Sequence, residues 1–129
     1  METTVLDTDI IIDALREEPE AAEFIRKAEQ ESILAMTTVT LYELYLGAFK
    51  SRNSAELTGV EMMKNAMRIL TLTPESARVA GAIMAELQRK GSPIGIKDLL
   101  IGAIAATHGF KLKTRNAKEF SRIPGLTLA

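Results

Sequence analysis

Short apolar runs of strand character alternate with longer segments of helical periodicity along almost the whole chain, and this alternation limits the possible folds most. Thr3–Leu6, Ile33–Met36, Ile69–Leu72, Phe110–Lys113 and Leu126–Leu128 read as strands. Between them, apolar residues recur at three and four residues, as in Ala21, Phe24, Ile25 and Ala28, or Ala77, Ala80, Ile83, Met84 and Leu87. Strands joined by helices long enough to cross over favour an α/β domain with a parallel sheet.

Local signals mark the helix ends. Ile10–Leu15 continues from the first strand as a short helix, and Pro19 suits the first position of the next one. Thr37 or Thr38 can cap a helix running through Leu41, Leu44 and Ala48 toward Lys50. Ser54 opens another, with Leu57, Val60, Met63 and Met67 on one side; these methionines read as core or interface filler. Thr73-Pro74 begins a helix that Lys90-Gly91 closes. Ile96–Thr107 is apolar on nearly every side and is expected to be buried, with His108-Gly109 ending it. Asn116–Phe120 reads as a helical turn. No linker, repeat or low-complexity tract interrupts the pattern, so residues 1–129 are expected to form a single domain.

Composition removes whole classes of chemistry. With no cysteine there are no disulfides, thiolate nucleophiles, iron–sulfur clusters or Cys-type zinc sites. A single histidine, His108, rules out a His-rich metal site, and its place in a last helical turn suits the helix dipole. Ser92 and Ser121 have no general base at a recognisable spacing. The longest apolar run, Leu99–Ala106, is far shorter than the roughly 18 residues of a membrane span. The first residues lack a basic stretch followed by an apolar one, so a secretory signal is not expected and the protein is read as cytoplasmic. Catalysis, if any, rests on carboxylates, hydroxyls, amides, Lys and Arg.

The net charge of −1 is unevenly distributed. Residues 1–31 hold ten acids and three bases, net −7, whereas residues 109–125 hold Lys111, Lys113, Arg115, Lys118 and Arg122 against Glu119, net +4. A basic segment of this kind is either a solvated strand and turn or a surface for phosphates, and converging acids beside it favour the second.

Three acids stand out. Asp7 ends the first strand, at the edge where open α/β sheets bind ligands, and it equally suits a helix cap. Glu43 lies on a charge-poor segment with Val39, Thr40, Leu46 and Gly47 at helical spacing and no Lys or Arg within four residues. It is either partly exposed between Tyr42 and Tyr45 or buried beside a compensating cation, metal or donor. Asp98 opens the most apolar helix; the dipole alone accounts for an acid there, while Gly95 and Gly102 would let another group or an ion come close. Three acids at strand and helix ends, without Cys or a usable His, suit a hard divalent cation such as Mg²⁺ or Mn²⁺. Such an ion activates water at a phosphodiester, with the basic segment holding the nucleic-acid backbone nearby.

At this point the sequence resembles the PIN-domain family, specifically the VapC-type toxins of toxin–antitoxin pairs. The motifs are Val5-Leu6-Asp7-Thr8-Asp9, Thr38-Val39-Thr40-Leu41-Tyr42-Glu43-Leu44 with Gly47, Gly95-Ile96-Lys97-Asp98-Leu99-Leu100-Ile101, and Leu112-Lys113-Thr114-Arg115-Asn116 with Phe120 and Ile123-Pro124-Gly125-Leu126. Their order and spacing cover nearly the whole chain. The resemblance implies a three-layer α/β/α sandwich with a central parallel sheet and a metal-dependent endoribonuclease using Mg²⁺ or Mn²⁺. Family metal ligands fall on Asp7, Glu43 and Asp98. The fourth position, commonly Asp, falls on Asn116, Thr114 matches a hydroxyl beside the site, and Asp9 supplies a further carboxylate. Glu119, a helical turn on, is a stand-in for the missing fourth acid. The family also implies an RNA substrate, a cognate VapB-like antitoxin whose C-terminal segment crosses the active-site groove, a homodimer and no membrane. The chain length matches a stand-alone toxin rather than a multidomain ribosomal-RNA processing nuclease.

Two rival readings belong to other classes. A PIN-like module that grips RNA or a partner without cutting fits the loss of the acid at Asn116, and the three retained acids speak against it. A phosphoacceptor domain would share the strand-end Asp, but nothing in this chain resembles the paired acids and strand-end lysine that such domains show.

Overall fold

In the computed structural model, which describes residues 1–129, side chains alternate along the strands and thereby divide the core in two. The elements run β1 (Glu2–Leu6), α1 (Thr8–Leu15), α2 (Pro19–Glu31), β2 (Ser32–Thr37), α3 (Thr38–Ser51), α4 (Ser54–Ala66), β3 (Arg68–Leu70), α5 (Pro74–Arg89), α6 (Ile96–His108), β4 (Lys111–Lys113), α7 (Ala117–Phe120) and β5 (Thr127–Leu128). Val5 of β1 and Ala35 of β2 face a cluster with Ala80, Ile83 and Leu87 of α5, Leu99, Ile101 and Ile104 of α6, and Phe120. Leu6, Leu34 and Met36 face the opposite way, into a cluster with Ile10, Ile11, Leu44, Ala48 and Val60. Period-two alternation thus sends neighbouring residues to opposite helical layers. The outcome is the expected three-layer α/β/α sandwich.

The sheet is five-stranded, in the order β3-β2-β1-β4-β5, and every pairing is parallel. From β1 the chain steps outward through β2 to β3, then returns through α5 and α6 to β4 on the other side of β1. Right-handed crossovers in the two directions put α1–α4 on one face and α5–α7 on the other. The direction of winding therefore reverses beside β1, and its carboxyl end opens into the crevice where α/β sheets bind ligands.

Most helix ends follow the sequence signals. Thr37 caps α3 through the Thr40 N–H, and Thr73 and Ser76 form a reciprocal capping box on α5. Asn53 caps α4, one residue before the expected start at Ser54. Three strands are shorter than expected; β5 begins at Thr127 instead of Leu126, whose N–H donates back to Ile123 O. Phe110 stays out of β4 because its N–H donates to Ala105 O while the Gly109 N–H, at φ 72°, donates to Ala106 O; this helix-closing pair takes the amide that a ladder would use. β3 ends at Leu70, and Leu72 is exposed on the way to the Thr73 cap. At Gly102 the structure leaves no room for the further group or ion that its missing side chain would admit. Its neighbour is Ile123 instead, whose Cδ1 would lie 2.3 Å from an added Cβ, so the glycine serves close packing of α6 against residues 120–126. No helix is long and apolar enough to cross a membrane.

Candidate metal centre at the carboxyl end of the sheet

Asp7 follows β1 directly and does two things at once. Its Oδ1 accepts the Thr8 N–H at 2.8 Å, capping α1, and its Oδ2 accepts the Thr114 hydroxyl at 2.7 Å. Its own N–H donates to Lys113 O at 2.9 Å, which fixes the backbone against β4. The residue is only 5% exposed, and the charges bearing on it are those of Asp9 and Asp98, both negative. Burial, above all, pushes its carboxyl up from 3.8 to about 7, against the lowering effect of the Thr114 hydroxyl.

Glu43 projects from the second turn of α3. The Thr8 hydroxyl donates to its Oε1 at 2.8 Å and sits 3.0 Å from the buried Thr40 hydroxyl. Its Oε2 lies 3.2 Å from Lys97 Nζ, and this carboxylate holds the Lys97 ammonium above its ordinary value. The compensating cation required by Glu43 therefore comes from α6, 54 positions along the chain. Asp98, in the first turn of α6, accepts the Asn116 amide at 3.4 Å. Burial raises its carboxyl first, and the negative charges of Glu119 and Glu43 add to the effect. Asn116 also donates its backbone N–H to the Thr114 oxygen at 2.9 Å, so Thr114 links the loop after β4 to Asp7.

Asp9, in the first turn of α1, completes the group. Its Oδ2 accepts the Arg115 N–H at 3.2 Å, while its Oδ1 is buried with no hydrogen-bond partner. An orphaned carboxylate oxygen and an uncompensated buried Asp7 are what a bound cation would relieve. The donors are all oxygens, suiting Mg²⁺ or Mn²⁺. As the side chains stand, no three acids close on one point. Lys97 and Thr8 draw Glu43 aside, and Asn116 holds Asp98.

The basic segment is spread out. Lys111 pairs with Glu2 at 3.1 Å, toward the amino end of the sheet, and Lys113 lies over the Phe24 ring. Arg115 folds back onto Asp13 at 3.1 Å and Asp9 at 3.6 Å. Arg122 pairs with Glu119 at 2.7 Å and donates to Ser92 O at 2.9 Å. Lys118 and Arg122 line a polar cleft of about 580 Å³ with Asn116, Glu119, Ser92 and Ser121. A second groove, about 670 Å³, runs between α1, α3 and α4 past Ile12, Leu15, Leu44 and Val60, with Glu43 in its wall. Sequence reasoning missed Thr8 and Lys97 as members of the site. Each had one signal, its position next to Asp7 or Asp98.

The chain is similar to known proteins along nearly its whole length. The family model for the PIN domain matches residues 4–126. A tRNA(fMet)-specific endonuclease VapC of Salmonella typhimurium is 35% identical, covering 96% of this chain and 94% of that protein. A ribonuclease VapC2 of Haemophilus influenzae is 32% identical over 95% of this chain and 92% of its own length. Among solved structures, VapBC2 of Rickettsia felis, bound to a DNA fragment from its promoter, superposes with a TM-score of 0.90 at 27% identity, covering 98% of this chain and 97% of that one. VapBC-1 of nontypeable Haemophilus influenzae gives 0.87 at 31% identity, with 98% and 96% covered.

Proposed function

The chain belongs to the PIN domain family, and from that premise we propose that it is an endoribonuclease, the toxin of a type II toxin–antitoxin pair, acting in the cytoplasm on RNA phosphodiesters with a carboxylate-held Mg²⁺ or Mn²⁺. Residues 1–129 are read as one such domain. The VapC ribonucleases that it resembles along nearly its full length support the activity, and the VapBC complexes support an antitoxin partner. The observation that carries the site is Asp7, a carboxylate buried at the winding reversal of the sheet, with two further acids facing it and no cation to compensate it.

Asp7, Glu43 and Asp98 would hold the ion, with Asp9 adding its orphaned oxygen. When bound, the ion supplies Lewis-acid activation of water and neutralises charge at the phosphodiester. The chain's own groups do the positioning. Thr114 and the Thr8 N–H lock the Asp7 rotamer, and the Asn116 amide holds Asp98. Lys118 and Arg122, in the polar cleft beside Asp98, are placed to meet RNA phosphates, as is Arg115 once it leaves Asp13. Lys111 and Lys113 stand farther off and would act on RNA only as general positive charge. The groove from Ile12 to Val60 suits an antitoxin segment whose apolar residues fill it and whose cation reaches Glu43. A homodimer completes the proposal. The test is cleavage of an RNA oligomer by purified protein with Mg²⁺ or Mn²⁺ and with EDTA, beside Asp98→Asn. Cleavage that needs the ion and fails in the variant supports the reading. RNA binding without any cleavage would favour the non-catalytic module.

A further inference from the structure

Tyr42 is the one aromatic side chain left without a partner. Tyr45 bonds Glu61 and stacks on Phe49, Phe24 lies under Lys113, Phe110 sits between His108 and Arg68, and Phe120 is fully buried. Tyr42 is 58% exposed, and its hydroxyl makes no hydrogen bond. Its place is well defined. One turn earlier on α3, Val39 packs into the cluster that holds Leu99 of α6, and the adjacent Glu43 reaches across to Lys97 at 3.2 Å. Tyr42 therefore flanks the strip of α3 that meets α6, and Ile96 and Lys97, at the start of α6, are exposed as well. An exposed ring and an ammonium thus stand next to Glu43 at the border of the carboxylate centre.

A nucleotide carries the matching chemistry: a base has a π-face for the ring, and its phosphate takes the ammonium. We propose that Tyr42 and Lys97 form a nucleotide subsite at the mouth of the carboxylate centre, Tyr42 stacking on a base next to the scissile bond and Lys97 leaving Glu43 to contact a phosphate. The inference rests on the ribonuclease reading above and extends it to residues outside the ligand set. Lys97 is free to exchange partners because a half-exposed ion pair holds it only weakly. The ring, rather than the hydroxyl, does the work, since the hydroxyl has nothing to bond.

Steady-state cleavage of an unstructured oligoribonucleotide, with fluorescence anisotropy of the same oligomer in EDTA, tests this on Tyr42→Leu, Tyr42→Phe and Lys97→Met. Tyr42 is exposed, so thermal melting should show each variant folded. Tyr42→Leu should raise KM and the anisotropy Kd about tenfold with kcat within about twofold, and Tyr42→Phe should restore both. Lys97→Met should weaken binding and lower the salt dependence of log K by roughly one counterion. Values for Tyr42→Leu within twofold of wild type would overturn the subsite, as would Tyr42→Phe being as damaging as Leu. So would a change in sedimentation with RNA affinity intact, which would make the face a protein contact. A wild-type protein that cleaves nothing, yet loses RNA affinity on Tyr42→Leu, would overturn the ribonuclease reading and leave the subsite standing.

Discussion

Two walls enclose the carboxylate centre, and they hold their acids in opposite ways. On the β1–β4 wall, Asp7 is buried, locked by Thr8 and Thr114, and surrounded by negative charge. On the α3–α6 wall, Glu43 is parked on Lys97 and remains partly open to solvent. On the proposed reading, the first arrangement would give a rigid ligand at the expense of folding stability, and the second a ligand that must leave a competing cation. An ion site assembled from both needs only the second wall to move.

The largest expected effect falls on activity. Asp7→Asn and Asp98→Asn should each lower ion-dependent RNA cleavage by about a hundredfold or more, because each removes ligand charge while keeping size. Equal cleavage by either folded variant would remove its wall from the account. Stability should separate the walls next. In the ion-free protein Asp7→Asn should raise Tm by roughly 5 °C, since it removes an uncompensated buried charge, while Glu43→Gln should not stabilise. The pH dependence follows from the raised Asp7 carboxyl. The folded chain holds that proton more tightly than the unfolded one, so stability from this group is full below 3.8, declines as pH rises, and is gone above about 7. The excess stability of Asp7→Asn over wild type, followed by melting at a series of pH values, should therefore grow across that window and then level off. An excess that shrinks with rising pH would contradict the burial argument.

Smaller effects concern the groups beside the ligands. Asn116→Asp adds a negative charge 3.4 Å from where Asp98 now accepts an amide, and should tighten Mn²⁺ binding several-fold, read by paramagnetic resonance of free Mn²⁺. Asn116→Ala should cost less activity than Asp98→Asn. The smallest change is expected from Lys97→Met, which removes the competitor at Glu43 and should tighten Mn²⁺ about twofold. Weaker Mn²⁺ binding in that variant would show that Lys97 supports the site instead of blocking it.

The fold was largely legible because its signals are local. Pro19, Thr37, Thr73 and Gly109 each mark a helix boundary through their own backbone chemistry, and alternation along Val5 and Leu6 divides the layers. The strand start at Phe110 was less legible, since the turn that closes α6 takes its amide, and β3 stops at Leu70, ahead of the Thr73 cap. In the site, Asp7, Glu43 and Asp98 were visible as acids in charge-poor surroundings. Their relation was not: Lys97 compensates Glu43 across two helices, and Arg115 reaches back to Asp13, contacts between distant positions that no helical spacing reveals. The basic segment read as one patch because its residues are close in sequence. Strand β4 and the loop after it point them in different directions.

Calorimetric titration of Mn²⁺ into the ion-free protein asks whether the acids of the two walls form one cation site. A single dominant site is expected in the wild type, strongly weakened in both Asp7→Asn and Glu43→Gln. Binding that survives either substitution unchanged, or no binding at all, would show that the two walls do not close on a common ion.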